Sequence, residues 1–257
     1  MSTTYRLTDL ALPYLLDGTG ISFCAKGLYI LICHVQPESI AHLALVSGVS
    51  GPVVKRECKA LKEEGWLSFD ITKSQRTIIT PTAPDGVQQE LVKWLDGVRA
   101  TWFPAGENIM RSMLDNTVAV SGCLDNCRPT HIANPTSGYR LEFDRFYYSQ
   151  GVAFEFQGVQ HRTRTSLHKS DEEFEDAQTR DLVKIGLCVR HDIEVVEITE
   201  ADLRIDRIVT KIPDRLPLLR VDRASEYVRR LDRIGQEYMY WCKRNRGQNT
   251  KPGGGSA

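Results

Sequence analysis

The segment Leu141–His161 constrains the fold of this chain more than any other part of the sequence. Residues 141–144 alternate between apolar and acidic side chains, and residues 152–156 read Val, Ala, Phe, Glu and Phe. Alternation with a period of two is typical of strands, and turn residues lie between the two runs. The pattern therefore predicts two neighbouring antiparallel strands, with Asp144 on the first and Glu155 on the second.

The two carboxylates need a cationic partner if they lie among apolar neighbours. Burial of an isolated carboxylate is unfavourable, whereas a bound cation offsets the loss of water. A divalent metal is a common partner for converging carboxylates, and Mg²⁺ prefers oxygen ligands. Gln157 shares the strand face of Glu155, because side chains repeat every second residue. The alternative is a pair of solvated carboxylates on edge strands.

The order of these residues resembles the PD-(D/E)XK nuclease superfamily, and most closely its very-short-patch-repair-like endonucleases. The family pattern is an Asp, a turn, Glu-x-Gln or Glu-x-Lys, a Gly and a Gln-His pair, matched here by Asp144, Glu155, Gln157, Gly158, Gln160 and His161. The resemblance implies that Asp144 and Glu155 bind Mg²⁺, for which Mn²⁺ can substitute. The superfamily usually has Lys at the position of Gln157, which can orient water or phosphate but carries no charge.

The same resemblance implies roles for further residues. Glu107 would contribute to the metal site or orient the attacking water, or it is a carboxylate that stabilises a helix N-terminus. His161 would be a general base, a general acid or a phosphate contact, or else a surface residue. Gln160 would contact phosphate. Lys184, together with Asp181, would support the site or bind the DNA backbone, or the two form a surface ion pair.

Residues 22–81 read as a unit of three helices and a hairpin. The predicted elements are helices at Ala25–Val35, Glu38–Val46 and Val53–Glu64, and strands at Trp66–Thr72 and Arg76–Pro81. The third helix carries apolar residues at helical spacing, namely Val54, Cys58 and Leu61. The order resembles a winged helix-turn-helix, which implies binding to double-stranded DNA. Such small units also mediate protein contacts, and this alternative stays open.

Local positive charge supports the DNA-binding interpretation. Basic residues lie on or near the third helix and at the hairpin turn: Lys55, Arg56, Lys59, Lys62, Lys73 and Arg76. Around a recognition helix such side chains contact phosphates. The alternative is a solvated helix face on which Glu57, Glu63 and Glu64 balance the positive charges.

The whole chain reads as α+β, with an α/β nuclease-like unit. The predicted divisions are a winged helix-turn-helix domain at 1–81, a connector helix at 82–105, a restriction-endonuclease-like mixed sheet flanked by helices at 106–202, a helical extension at 203–247 and a disordered tail at 248–257. Within the nuclease-like unit, residues 117–139 look irregular, and a helix at Asp171–Ile185 is expected to end at Gly186. The segment Ile193–Ile198 reads as a β-branched strand.

The last predicted helix, Ala224–Asn245, is amphipathic. Its apolar and aromatic residues recur at helical spacing: Tyr227, Leu231, Ile234, Tyr238 and Trp241. This stripe either packs into the core or forms a face for a homodimer.

Composition argues against several other classes of protein. The formal net charge is zero, so attraction to nucleic acid would have to come from local basic patches. The sequence has neither a long apolar run nor a signal-peptide pattern, and we expect no membrane association. Seven Cys residues, an odd number, favour reduced thiols and a cytoplasmic protein. A metal-free loop is the simpler account of Cys123, Cys127 and His131, so we do not expect a structural zinc ion.

These patterns predict a metal-dependent DNA endonuclease that docks on duplex DNA through its winged helix. A phage or other mobile element, homing, defence and repair are all compatible settings. Two alternatives stay open. One is a DNA-binding regulator or scaffold whose nuclease-like domain is inactive, with Gln157 as the disabling change. The other is a nuclease that acts on RNA.

Overall fold

A computed structural model of the chain describes residues 5–71, 77–102, 105–120, 122–135, 138–158 and 182–245. The helices in these ranges are α1 (Leu7–Asp17), α2 (Phe23–Val35), α3 (Ile40–Ser47), α4 (Gly51–Glu63), α5 (Asp85–Arg99), α6 (Ala105–Asp115), α7 (182–190), α8 (Ile205–Lys211) and α9 (Glu226–Asn245). The strands are β1 (Leu67–Ile71), β2 (Thr77–Pro81), β3 (Leu124–Cys127), β4 (Phe143–Tyr147), β5 (Val152–Gln157) and β6 (Glu194–Thr199). The predicted α+β class is confirmed.

Helices α2 to α4 and the β1–β2 hairpin follow the predicted order, and local capping explains their ends. Ser22 Oγ accepts a hydrogen bond from Ala25 N at 3.0 Å, and Ser39 Oγ accepts one from His42 N at 3.1 Å. Helix α3 ends at Gly48, whose φ of 67° suits glycine. Helix α4 buries the apolar residues that its spacing indicated, namely Val54, Cys58 and Leu61.

The second sheet has the strand order β3-β4-β5-β6 among the described residues. Strands β4 and β5 pair antiparallel, as predicted, and β5 pairs in parallel with β6. Two predictions for this unit are wrong. The supposedly irregular region 117–139 contributes β3, which sets Asp125 opposite Arg145 on β4. Helix α7 also continues through Gly186, because a glycine costs a helix only about 1 kcal/mol and packing outweighs that cost.

The main hydrophobic core runs through both predicted units. It includes Leu15 and Tyr29 from the N-terminal helices as well as Met113, Phe154 and Ile234 from α6, β5 and α9. A smaller cluster packs α7 on the opposite face of the sheet and comprises Ile132, Phe143, Phe146, Ala153, Cys188 and Ile193. Helices therefore cover both faces of the β3–β6 sheet. The predicted domain boundaries stay a prediction.

Gly235 allows α9 to approach the rest of the core closely. A Cβ at this position would lie 2.1 Å from the carbonyl oxygen of Leu203 and 2.8 Å from Cε of Met113. We expect Gly235→Ala to lower the free energy of unfolding by about 1–3 kcal/mol, because the backbone at Leu203 would have to move. Urea denaturation would measure this change.

The matched control is Gly97→Ala on α5, where a Cβ would meet no atom within 4 Å. Since alanine favours a helix by up to about 1 kcal/mol over glycine, this variant should be as stable as the parent or more so. Equal stability of both variants would contradict the proposed close packing of α9.

No single helix of the described residues has the length and apolar character needed to cross a membrane. Helices α2 and α3 meet that test only together, across a bend of 105°.

Candidate active site

Asp144 and Glu155 lie on the same face of the β4–β5 pair. The ladder pairs Arg145 with Phe154 and Phe146 with Ala153. Continued by one residue, this register sets Asp144 directly opposite Glu155, and opposite residues of antiparallel strands point to the same side. Asp144 Oδ2 accepts a hydrogen bond of 2.7 Å from the backbone N–H of Phe156, which fixes the carboxylate at the end of β5.

Lys184 on α7 reaches into this site. Its Nζ lies 2.7 Å from Oε1 of Glu155, donates to the backbone carbonyl of Glu142 and sits 4.9 Å from the centre of the Phe143 ring. Both charged side chains are largely buried, at 18% and 16% exposure. The residue was predicted to bind DNA or to support the site, and its contacts place it among the site's carboxylates.

Glu107 approaches the site from the first turn of α6. Arg111, one helical turn later, donates to Glu107 Oε2 at 3.2 Å and to the backbone carbonyl of Asp144 at 3.2 Å. It also donates to Oδ1 of Asn126 on β3 at 2.6 Å. Arg111 therefore ties α6 to two strands at the site. The sequence analysis missed it, although its position four residues after Glu107 is the usual helical ion-pair spacing.

Burial raises the pKa of all three carboxyl groups. The pKa of Glu107 rises from 4.5 to about 7, chiefly through desolvation and then through the charge of Asp144. Desolvation also raises the pKa of Glu155 to about 7, against the attraction of Lys184. The pKa of Asp144 is raised by burial as well, although its bond to Phe156 N opposes the shift. Raised pKa values of this kind concentrate at functional sites.

These shifts predict how stability depends on pH. Glu107 binds its proton more tightly in the folded chain, so its contribution to stability is present below pH 4.5 and is lost as the pH rises to about 7. Glu107→Gln removes this titration. We expect the free energy of unfolding of the variant to exceed that of the parent by about 1–3 kcal/mol between pH 5 and pH 8. Urea denaturation at each pH would measure this difference.

The control for this experiment is Glu194→Gln, at the far end of β6, where the carboxylate is 47% exposed. Its stability should follow that of the parent at every pH. A difference between Glu107→Gln and the parent that stays constant with pH would contradict the raised pKa.

The remaining predicted catalytic residues are only partly described. Gln157 is partly buried and pairs with Thr199 of β6 at the end of the ladder. Gln160, His161 and Asp181 lie outside the described residues, so their predicted roles stay predictions.

The predicted DNA-contacting residues of α4 are exposed to solvent. Arg56 pairs with the buried Glu57 at 2.5 Å, and Lys59 pairs with Glu63 at 3.5 Å. Lys62 lies 5.1 Å from the centre of the Phe69 ring, and Lys55 is exposed on the same helix. Lys73 and Arg76, which were predicted to lie at the hairpin turn and contact DNA, lie outside the described ranges.

No group of three or more His, Cys, Asp or Glu side chains that could hold a metal ion occurs within the described part of the chain. The Glu107, Asp144 and Glu155 carboxylates and the cysteines near β3 are among the side chains that form no such group. The rings of His131 and His191 lie 5.1 Å apart.

Arg145 anchors β4 from the opposite face of the sheet. Its Nη1 donates to Asp115 Oδ1 at 2.6 Å and to the backbone carbonyl of Arg111 at 2.9 Å, and its Nε donates to Asp125 Oδ1 at 2.7 Å. The side chain is 1% exposed. This ion-pair group joins α6, β3 and β4 directly behind Asp144.

Comparison with known proteins adds a viral relative. No family model matches the chain, and no solved structure matches it. The uncharacterized protein 033L of Invertebrate iridescent virus 3 is 30% identical over 94 residues, which are 36% of this chain and 47% of the relative. The chain thus matches about half the length of this relative, and the finding is a similarity to a viral protein of unassigned activity.

Proposed function

We propose that the protein is a Mg²⁺-dependent DNA endonuclease, with a winged helix-turn-helix at its N-terminus and a PD-(D/E)XK-like nuclease unit. The observation that supports this most is the meeting of Asp144, Glu155 and Lys184 at one end of the β4–β5 pair. Two carboxylates and one cationic side chain are the groups that this class of nuclease uses. The carboxylates come from two consecutive strands, and the cationic side chain comes from a helix much later in the chain.

The donor chemistry fits Mg²⁺, a hard ion that prefers carboxylate oxygens. Asp144 and Glu155 would hold the ion, and Glu107 would bind it through water, since the three carboxylates do not form a ready metal-binding group in the described part of the chain. When bound, the ion would activate water and neutralise charge on the phosphate. A nearby cation would also lower the raised pKa values of these carboxyl groups, since positive charge stabilises their ionised forms.

Lys184 compensates for the absence of a lysine at position 157. In this proposal its ammonium group binds a phosphate oxygen and stabilises the charge that develops there, while Gln157 orients water or phosphate by hydrogen bonding. Burial raises the pKa of Glu107 to about 7 in the metal-free chain; beside a bound ion its pKa would be lower, and Glu107 would then be suited to accept a proton at neutral pH. The described contacts with Glu155 and Arg111 position Lys184 and Glu107 for these roles.

Helix α4 and the β1–β2 hairpin would dock the enzyme on duplex DNA. The exposed Lys55, Arg56, Lys59 and Lys62 would contact phosphates around the major groove. These contacts position the enzyme on DNA, so single substitutions to alanine should weaken binding without abolishing cleavage.

A second candidate function is a DNA-binding regulator with an inactive nuclease-like unit. Lys184 already neutralises Glu155 at 2.7 Å, and the described residues provide no group of three acidic, Cys or His ligands for a metal. An ion pair of this kind can compensate the charge of a buried carboxylate without any metal.

Cleavage assays separate these functions. The protein would be incubated with supercoiled plasmid, linear duplex DNA and duplex RNA, each with Mg²⁺, Mn²⁺ or EDTA. The nuclease proposal expects nicked or linear DNA with either metal and none with EDTA. Folded protein that binds DNA but cuts no substrate would support the regulator, and cleavage of RNA alone would support the RNA-directed enzyme.

A further inference from the structure

The last helix divides into a buried part and an exposed aromatic end. Tyr227, Leu231 and Ile234 belong to the main core. The first part of the predicted aromatic and apolar stripe therefore packs into the core. Towards its end, Tyr238 is partly buried, whereas Tyr240 and Trp241 are 56% and 57% exposed. Large apolar side chains of this exposure at a helix end invite an explanation other than core packing.

These aromatic residues continue a row that begins at Phe156 on β5, whose ring lies on the sheet face opposite the Asp144 and Glu155 side chains. The Phe156 ring lies 6.1 Å from the ring of Tyr238, and the Tyr238 ring lies 5.9 Å from Trp241 with an interplanar angle of 22°. Phe156 is flanked by Glu155 and Gln157, and its N–H donates to Asp144. The row therefore starts at the backbone that positions Asp144 and leads to the protein surface.

Tyr238 lies on the α6 side of the site, within electrostatic reach of Glu107. Burial is the main cause that raises the pKa of Tyr238; Cys242 adds to the shift, and the charges of Glu200 and Glu107 add less. Gly106, beside Glu107, lets the Phe156 ring pack closely on α6, since a Cβ there would lie 2.1 Å from that ring. The Phe156 ring is thereby packed between α6 and α9.

The surface around the exposed rings is basic. Lys243 and Arg244 are exposed in the last turn of α9, and the Lys243 Nζ lies 5.9 Å from the centre of the Tyr240 ring. The acidic neighbour, Glu237, pairs with Arg99 and with Arg230. A stacked aromatic pair with cations alongside is complementary to bases and phosphates of a nucleic-acid strand.

We infer that Tyr238 and Trp241 form a stacking platform for unpaired nucleotides of the DNA strand that enters the site at Asp144 and Glu155. The inference rests on the proposed nuclease function and narrows its substrate to DNA with a single-stranded segment beside the cut. Base pairs in a continuous duplex are already stacked on both faces, so only unpaired bases can lie on these rings. Stacking of this kind tolerates any base sequence.

Binding to a fluorescein-labelled oligothymidylate, measured by anisotropy in EDTA, tests the platform without cleavage. Trp241→Leu should weaken binding by between about five- and 150-fold, the range that loss of one stacked base implies. Trp241→Phe keeps an aromatic ring and should stay within about threefold of the parent, since a smaller ring retains most of the stacking. Tyr14→Leu, an exposed aromatic residue on α1, is the surface control and should bind as the parent does.

Two results would overturn the platform. One is a Trp241→Leu variant that binds the oligonucleotide as tightly as the parent. The other is a protein that forms a dimer without DNA, in which Trp241 is shielded from iodide quenching and which Trp241→Leu converts to a monomer. A second copy of the chain would then occupy the surface. Binding in EDTA is independent of catalysis, so loss of the platform leaves the nuclease proposal standing, and absence of cleavage leaves the platform standing.

Discussion

Asp144→Asn is expected to lower the rate of Mg²⁺-dependent DNA cleavage by a factor on the order of 10³ or more. A bound metal supplies several kcal/mol of transition-state stabilisation, and the substitution removes the charge that would hold it. The amide oxygen of asparagine can still accept the hydrogen bond from Phe156 N, so the end of β5 should stay in place. The rate of plasmid nicking under single-turnover conditions is the measurement.

Glu194→Gln is the control for this experiment, because it removes a carboxylate from the same sheet at the end of β6 that lies beside Arg215. It should cleave at the parental rate. Melting curves of both variants would show that each is folded. A folded Asp144→Asn variant that retains the parental rate would refute the assignment of the metal site.

Arg145→Met is expected to lower the free energy of unfolding by about 3–5 kcal/mol. The guanidinium group faces Asp115 and Asp125 in the interior, and its loss leaves two largely buried carboxylates without that cation. For a chain of this size the melting temperature should fall by roughly 6–20 °C. Urea denaturation and calorimetry would measure both quantities.

The surface control is Arg128→Met, which breaks a pair with Glu142 in which the arginine is 63% exposed. Exposed pairs contribute only about 0–1 kcal/mol, so this variant should melt close to the parent. The combined variant Arg145→Met, Asp115→Asn and Asp125→Asn should recover part of the lost stability, because neutral side chains tolerate burial better. Equal effects of Arg145→Met and Arg128→Met would contradict a buried ion-pair group.

Local signals were enough to predict much of the secondary structure. Ser22 and Ser39 cap their helices within three residues, and Gly48 ends α3 by its own backbone conformation. The pairing of β4 with β5 likewise follows from a short connection and alternating side chains. Each of these features depends on neighbours in sequence, which is why pattern and composition predict it.

Strand β3 and the continuation of α7 past Gly186 lay beyond such signals. The residues Leu124–Cys127 include two polar side chains, and they form a strand because β4 offers an edge and Arg145 binds Asp125. Helix α7 passes Gly186 because its other residues pack on the sheet, as Cys188 does in the smaller cluster. Tertiary packing outweighs weak local propensity in both elements.

The sequence alone determined which chemical groups this chain carries: two carboxylates on adjacent strands, a third carboxylate on a preceding helix, and basic side chains on the helix that became α4. Only the tertiary structure decided that Lys184 meets Glu155, that Arg111 links Glu107 to Asp144, and that the end of α9 stays exposed. The physical reason is that pairing, burial and raised pKa values depend on distances between segments far apart in the chain. Local sequence patterns carry no information on those distances.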